Sequence, residues 1–181
     1  MTVAAVVLAA GAASRFGAAK QQLLLPRVLE RIAPLLADGT LAEAVVVEGA
    51  HALDAARLPA GVRLVPCPSW ASGPGASLRC GLAALGAETQ AAVVLLADGP
   101  RLSADAVRRV LAARLQEDDE ARCYAASYAG FRGHPLVIGR AAWASIPDEG
   151  LRGVTPVLVP CDDLGDPGDV DTPADLDALD G

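Results

Sequence analysis

The sequence predicts a three-layer α/β fold with a mainly parallel sheet, on three observations. Short apolar, β-branched runs alternate with segments of helical spacing along all 181 residues, the order that builds βαβ units. Apolar residues make up 52% of the chain and aromatics only 3%, so the core is built of Val, Leu and Ala, as in a parallel sheet covered by helices. No repeat or linker divides the sequence, and its length suits one well-cored domain, residues 1–181.

The elements follow in order. Thr2 to Leu8 is the first strand, and a helix is expected at Val28 to Ala37, where Val28, Leu29, Ile32, Leu35 and Leu36 recur at helical spacing and Pro34 disturbs them. Ala44 to Glu48 is a second strand, His51 to Arg57 a brief helix, and Val62 to Val65 a third strand. Pro66 to Gly75 is too rich in Pro and Gly for regular structure. Leu78, Leu82 and Leu85 place a helix over Ala76 to Leu85, and Ala91 to Leu96 is the most hydrophobic strand and the central one. Ser103 caps a helix from Ala104 to Gln116, with Asp105 favourable in its first turn. Cys123 to Tyr128 and Leu136 to Ile138 are two strands, Trp143 lies in a short helix, Pro156 to Val159 is the last strand, and a final helix starts near Thr172-Pro173.

A net charge of −7 and a sequence pI near 4.7 argue against a nucleic-acid or anionic-membrane surface. Cys67, Cys80, Cys123 and Cys161 are dispersed, with only His51 and His134 to help. That spacing implies neither a zinc site nor a disulfide framework, and all four are expected as buried reduced thiols. The first residues lack a basic n-region and a cleavage site, and no apolar run reaches the roughly 18 residues of a membrane span. The expected location is cytoplasmic.

The informative stretch is Val6 to Pro26, where an apolar strand runs into a loop of small residues holding Arg15 and Lys20. Gly11 and Gly17 allow consecutive N–H groups to turn inward onto an anion, and the two cations add full charge. Such a loop suits a triphosphate, because fixed donors neutralise charge with little reorganisation. Its spacing fits neither a dinucleotide fingerprint nor a P-loop. Ligands in open α/β sheets gather beyond the carboxyl ends of the strands, which is also where Asp98 emerges after Val93 to Ala97, turned away by Gly99-Pro100. A carboxylate there is a hard ligand for a magnesium ion on triphosphate oxygens, or else an ordinary turn cap.

Leu8-Ala9-Ala10-Gly11, then Ser14-Arg15-Phe16-Gly17, then Lys20 and Leu23-Leu24-Leu25-Pro26 resemble the signature of the MobA-like NTP transferases, and within them most closely the molybdenum cofactor cytidylyltransferases. The resemblance implies a Rossmann-like nucleotidyltransferase fold and covers nearly the whole chain. It implies nucleotide binding by Leu8, Ala9, Ala10, Gly11, Ser14, Arg15, Gly17, Lys20 and Ser77, with Arg15, Lys20 and Asp98 catalytic. Asp98-Gly99-Pro100 matches the family's metal-holding Asp-x-Pro, and Asp169 to Leu176 its closing Asp-x-Asp-Thr-Pro-x-Asp-Leu. This makes Asp98 and Asp171 the implied magnesium ligands, against an acidic tail in which Thr172 merely caps a helix. Ser77-Leu78-Arg79-Cys80-Gly81-Leu82 resembles the family's Ser-Leu-x-x-Gly-Leu helix start, where Ser77 either meets base or ribose or caps the helix. Gly133-His134-Pro135 and Glu149 to Arg152 resemble segments near the acceptor. His134 and Arg152 are candidates for an anionic acceptor, with surface or core roles the alternative.

The cytidylyl members carry Leu-Ala-Ala-Gly where guanylyl members carry Leu-Ala-Gly-Gly, and Ala10 stands at the deciding position. Its methyl narrows the approach to the base, which favours a pyrimidine and implies CTP. The implied reaction transfers CMP to the phosphate of molybdopterin with release of pyrophosphate. Between Pro26 and Arg27-Val28 the family's usual Gly-x-Pro-Leu-Leu segment is missing, which bears on the acceptor. The same chemistry on a sugar phosphate or other phosphorylated alcohol is one alternative. A catalytically weak nucleotide-binding partner of a molybdenum enzyme is the other.

Overall fold

The computed structural model describes residues 1–12, 20–117, 121–168 and 170. Its seven-stranded sheet consists of β1 (Val3–Leu8), β2 (Glu43–Glu48), β3 (Val62–Pro66), β4 (Ala91–Leu96), β5 (Cys123–Tyr128), β6 (Phe131–Gly139) and β7 (Val157–Pro160), in the order β3-β2-β1-β4-β6-β5-β7. Pairings β3-β2, β2-β1, β1-β4 and β5-β7 are parallel, and β6 alone runs against its neighbours β4 and β5. The helices are α1 (Lys20–Ala37), α2 (Pro74–Ala83) and α3 (Ala104–Gln116). Strand side chains alternate between faces: Val3, Ala5 and Val7 of β1 join the core under α1 and α3, while Ala4 and Val6 join the core under α2. The molecule is the expected three-layer, mostly parallel α/β fold. Among the described residues no helix is long and apolar enough to cross a membrane.

Register places what matters for the site. Leu8 of β1 pairs with Leu96 of β4 and with Val47 of β2, so the central strands end level. The ladder continues one step further, with Ala97 N–H donating to the Leu8 carbonyl at 3.1 Å and Ala9 N–H to the Val47 carbonyl at 3.0 Å. The turn after β1 and the turn after β4 therefore leave the sheet side by side.

The expected helix over Val28 to Ala37 is longer than its periodicity predicted. It begins at Lys20 and runs unbroken through Pro26 and Pro34. Both prolines and the residues four positions before them, Gln22 and Glu30, are exposed, so the carbonyls that lose a helical partner face water. Buried Leu24, Leu25, Val28, Leu29, Ile32 and Leu35 each contribute about 1.5–3 kcal/mol. Together they outweigh two internal prolines at about 3 kcal/mol each. Ser103 does cap α3, its hydroxyl accepting from Ala106 N–H at 3.4 Å. The expected helices near His51 and Trp143 are short 3-10 segments, Ala55–Arg57 and Arg140–Ser145, and β6 extends beyond Leu136 to Ile138 at both ends. The final helix near Thr172 lies outside the described residues.

The cysteine expectation needs a correction. Cys67 and Cys80 form a disulfide, with Cα atoms 5.7 Å apart, because the loop after β3 folds back onto α2. The two stand 13 positions apart in sequence, a spacing with no motif attached. Cys123 and Cys161 are buried thiols, as expected, and burial pushes the Cys123 thiol up to about 11.

Two measurements check this packing. A thiol titration of the air-purified protein in denaturant should count two reactive thiols, rising to four after reduction, and four without reduction would reject the disulfide. Gly81 of α2 sits so close to the sheet that a Cβ would lie 2.5 Å from Val6 Cγ1 and 2.8 Å from Val47 Cγ2. Gly81→Ala should gain about 1 kcal/mol in helix propensity and lose about 1–3 kcal/mol to overpacking of stiff valines. A net fall in denaturation midpoint is expected, and a rise would show that the layers can part.

Candidate functional site

Beyond the ends of β1 and β4 lies a crevice of about 410 Å³. Its base is Leu8, Ala10, Leu96 and Ala97, set there by the level strand ends. Asp98 enters from the turn after β4. Its Oδ2 accepts from Nζ of Lys20, the first residue of α1, at 3.0 Å. The lysine side chain is only 6% exposed and the carboxylate 30%, so the charges sit at the border of the protein interior, where water screens them incompletely. The next residue, Gln21, is buried and donates its Nε2 to the Gly11 carbonyl at 3.0 Å, while its buried Oε1 has no partner among the described residues. The first turn of α1 thus grips both strand ends, Lys20 at β4 and Gln21 at β1.

The opposite wall comes from the segment joining β3 to α2. Trp70, Gly73, Pro74 and Ser77 line it. Ser77 is buried in α2 and is not a cap, which overturns that alternative: the cap is Gly73, at φ 127°, a backbone shape suited to glycine. Gly75 packs against the Pro147–Gly150 turn. Its N–H donates to the Asp148 carbonyl at 2.9 Å, and a Cβ there would overlap the Pro147 carbonyl oxygen, 1.7 Å away. Arg79 of α2 ties down the same turn through the Ile146 carbonyl, at 2.6 Å, and the Asp148 carboxylate. That turn carries Arg152 to the crevice rim.

Two further cavities of about 330 Å³ each share His134 and Arg132. One also takes in Leu8, Pro74 and Arg152, and so adjoins the crevice. The other is lined by Tyr128, Phe131 and Asp166. His134 sits between them, its carbonyl accepting from the Tyr128 hydroxyl at 3.1 Å. Removal of the imidazole from water, reinforced by the nearby Arg132 guanidinium, pushes its pKa down to about 4 against an opposing pull from Asp98. At neutral pH it is an uncharged hydrogen-bonding group.

Of the residues singled out in the sequence, Leu8, Ala10, Gly11, Ser77, Asp98 and Arg152 line the crevice, Lys20 reaches it through Asp98, and His134 lies in the adjoining cavity. Ala9 is buried in the core under α1 rather than at the crevice. Ser14, Arg15, Gly17 and Asp171 lie outside the described residues. Gln21, Trp70 and Arg132 escaped the sequence reading. Gln21 had a signal, a polar side chain in phase with buried Leu24 and Leu25; Trp70 was an aromatic in a chain almost without them. Among the described residues no cluster of three His, Cys, Asp or Glu side chains is placed to hold a metal, and Asp98 is the one carboxylate among those that line the crevice.

Residues 5–158 match the model of the MobA-like NTP transferase domain. The chain belongs to that family. MobA-like NTP transferases are nucleotidyltransferases, and the crevice lies where ligands of open α/β sheets collect. Rv0371c of Mycobacterium tuberculosis is 26% identical, with TM-score 0.70 over 99% of this chain and 97% of that one. Its complex with manganese gives 24% and 0.68, over 99% and 98%. A nucleotidyl transferase of Methanothermobacter, at 21% identity, superposes with TM-score 0.72 over 98% and 95% and shows the shared fold. No curated protein sequence matches the chain.

His134 makes a pH prediction. Its folded pKa of about 4 lies below the ordinary 6.5, so between those values the unfolded chain binds the extra proton. Stability is full above about pH 6.5 and falls as pH drops toward 4. His134→Gln should flatten this limb in denaturant melts at pH 7 and pH 5, and an unchanged limb would reject the assignment.

Proposed function

We propose that this MobA-like nucleotidyltransferase transfers CMP from CTP to the phosphate of molybdopterin, releasing pyrophosphate. The observation that carries the reading is the Lys20–Asp98 pair, held beside the Gly11 carbonyl at the joint end of β1 and β4. A polyphosphate laid along the turn after β1 meets a fixed cation there, and fixed charges stabilise a developing anion without reorganising. The reaction requires in-line attack by an acceptor phosphate oxygen on the α-phosphorus. A new P–O bond forms, the bond to the bridging oxygen breaks, and its electron pair leaves with pyrophosphate. Lys20 takes up part of that charge. Arg15, with the loop residues Ser14 and Gly17, is assigned the rest by resemblance.

Asp98 offers a hard carboxylate oxygen facing the crevice, which fits a divalent cation. Magnesium bound there, with Asp171 as the second ligand the resemblance assigns, would neutralise phosphate charge and favour attack. The manganese complex of Rv0371c supports a divalent ion as the class. Ser77 is assigned to base or ribose, and the buried methyl of Ala10 at the crevice base supports a pyrimidine. His134, neutral, and Arg152 are assigned to the acceptor, since the cavity they share opens beside the crevice.

A specific observation favours a second reading. The unbroken passage of α1 through Pro26 removes the connection that family members insert there, so the same chemistry on a sugar phosphate or another phosphorylated alcohol stands as the alternative.

Pyrophosphate release, assayed with each of the four NTPs, magnesium and molybdenum-loaded molybdopterin, should occur with CTP. Release only with another acceptor would select the second reading. Asp98→Asn should still bind CTP while turning over about 100-fold slower or worse, and wild-type turnover in that variant would reject Asp98 as catalytic.

A further inference from the structure

The two walls of the crevice differ in chemistry. Lys20 and Gln21 reach it from α1, on one face of the sheet, and bring charge and amide groups. Trp70, Gly73 and Ser77 reach it from the segment on the other face. Trp70 is the only aromatic residue lining the crevice among the described residues. One side of the indole packs on the aliphatic core under α2, and the partly buried ring also reaches the crevice lining.

Its position is fixed from several sides. A Cβ on Gly49 would lie 2.6 Å from Trp70 Cβ, 2.7 Å from Trp70 Cγ and 2.8 Å from Ala10 Cβ, so the stem of the tryptophan is pressed into the space glycine leaves, against the crevice base. Trp70 N–H donates to the Cys67 carbonyl at 3.1 Å, its own carbonyl accepts from Gly73 N–H at 3.2 Å, and the Cys67–Cys80 disulfide anchors this turn to α2. An aromatic face held this firmly gives up little entropy when a flat ligand settles on it.

Resting on the nucleotide reading, we propose that Trp70 is the stacking wall for the nucleobase. It lets the crevice hold a nucleoside triphosphate in preference to a bare polyphosphate. Every base has a π-face, so the wall strengthens binding of purines and pyrimidines alike and leaves the choice between them to groups such as Ala10.

The test compares CTP with inorganic tripolyphosphate, each with magnesium, by calorimetry on the whole protein. Trp70→Ala should weaken CTP about 10- to 100-fold, the range for loss of one base–aromatic stack, and leave tripolyphosphate within about 3-fold of the unaltered protein. Trp70→Phe should restore most of the CTP affinity. It also keeps the test open if the alanine variant unfolds. The second tryptophan, Trp143, lies under the Arg140 guanidinium, 4.9 Å from its ring centroid, and does not line the crevice. CTP should therefore quench indole emission in Trp143→Phe and leave it unchanged in Trp70→Phe. Equal losses for CTP and tripolyphosphate, unchanged CTP affinity in Trp70→Ala, or quenching that survives in Trp70→Phe would each overturn this assignment alone. Failure of the unaltered protein to bind CTP would overturn the nucleotide reading and this one with it.

Discussion

Parallel pairing of Leu8 with Leu96 sets everything built above the sheet. Because β1 and β4 stop at the same height, the turns that follow them emerge together, and one short stretch of helix can hold both. Lys20 does so through Asp98 and Gln21 through Gly11. A slip of one residue in this ladder would reverse which side chains enter which core, and the dense aliphatic packing on both faces forbids it. The position of the charged groups is thus a consequence of hydrophobic register.

The ion pair itself is a poor source of stability. Lys20 gives up most of its hydration on burial, and the attraction to Asp98 has to offset that cost before it contributes. Its value lies in position: it fixes a cation and a carboxylate side by side at the crevice. Gln21 carries a tension of its own, with one amide end engaged and a buried oxygen that has no donor among the described residues.

Much of the architecture was legible in the residues, and the failures have physical causes. The cap at Ser103 and the hydrophobic run Ala91–Leu96 located α3 and β4 because local chemistry and tertiary context agree there. Pro26 and Pro34 obscured the first turns of α1, since their cost is judged locally while the burial that offsets it comes from the sheet. The Cys67–Cys80 disulfide depends on a loop folding back, which spacing does not encode. At the crevice, Lys20, Ser77 and Asp98 converge from three separate elements, a juxtaposition that their separate motifs do not encode locally. Ala9 belongs to the same motif but points into the core, because successive residues leaving a strand alternate in direction. Trp70 and Arg132 belong to no periodic pattern, and only the closed fold brings them to the cavities they line.

The fit of Gly75 against Pro147 and of Arg79 around Asp148 has a consequence for how such a protein can change. The start of α2 and the turn leading to Arg152 form one mechanical piece, with no room for a side chain between them. Exchange of residues 146–153 for a relative's segment would drag the crevice wall of Gly73, Pro74 and Ser77 along unless the helix start were exchanged as well. Diversification of this crevice is therefore modular only in larger blocks, and the shapes of its α2 wall and of the Arg152 rim should drift together.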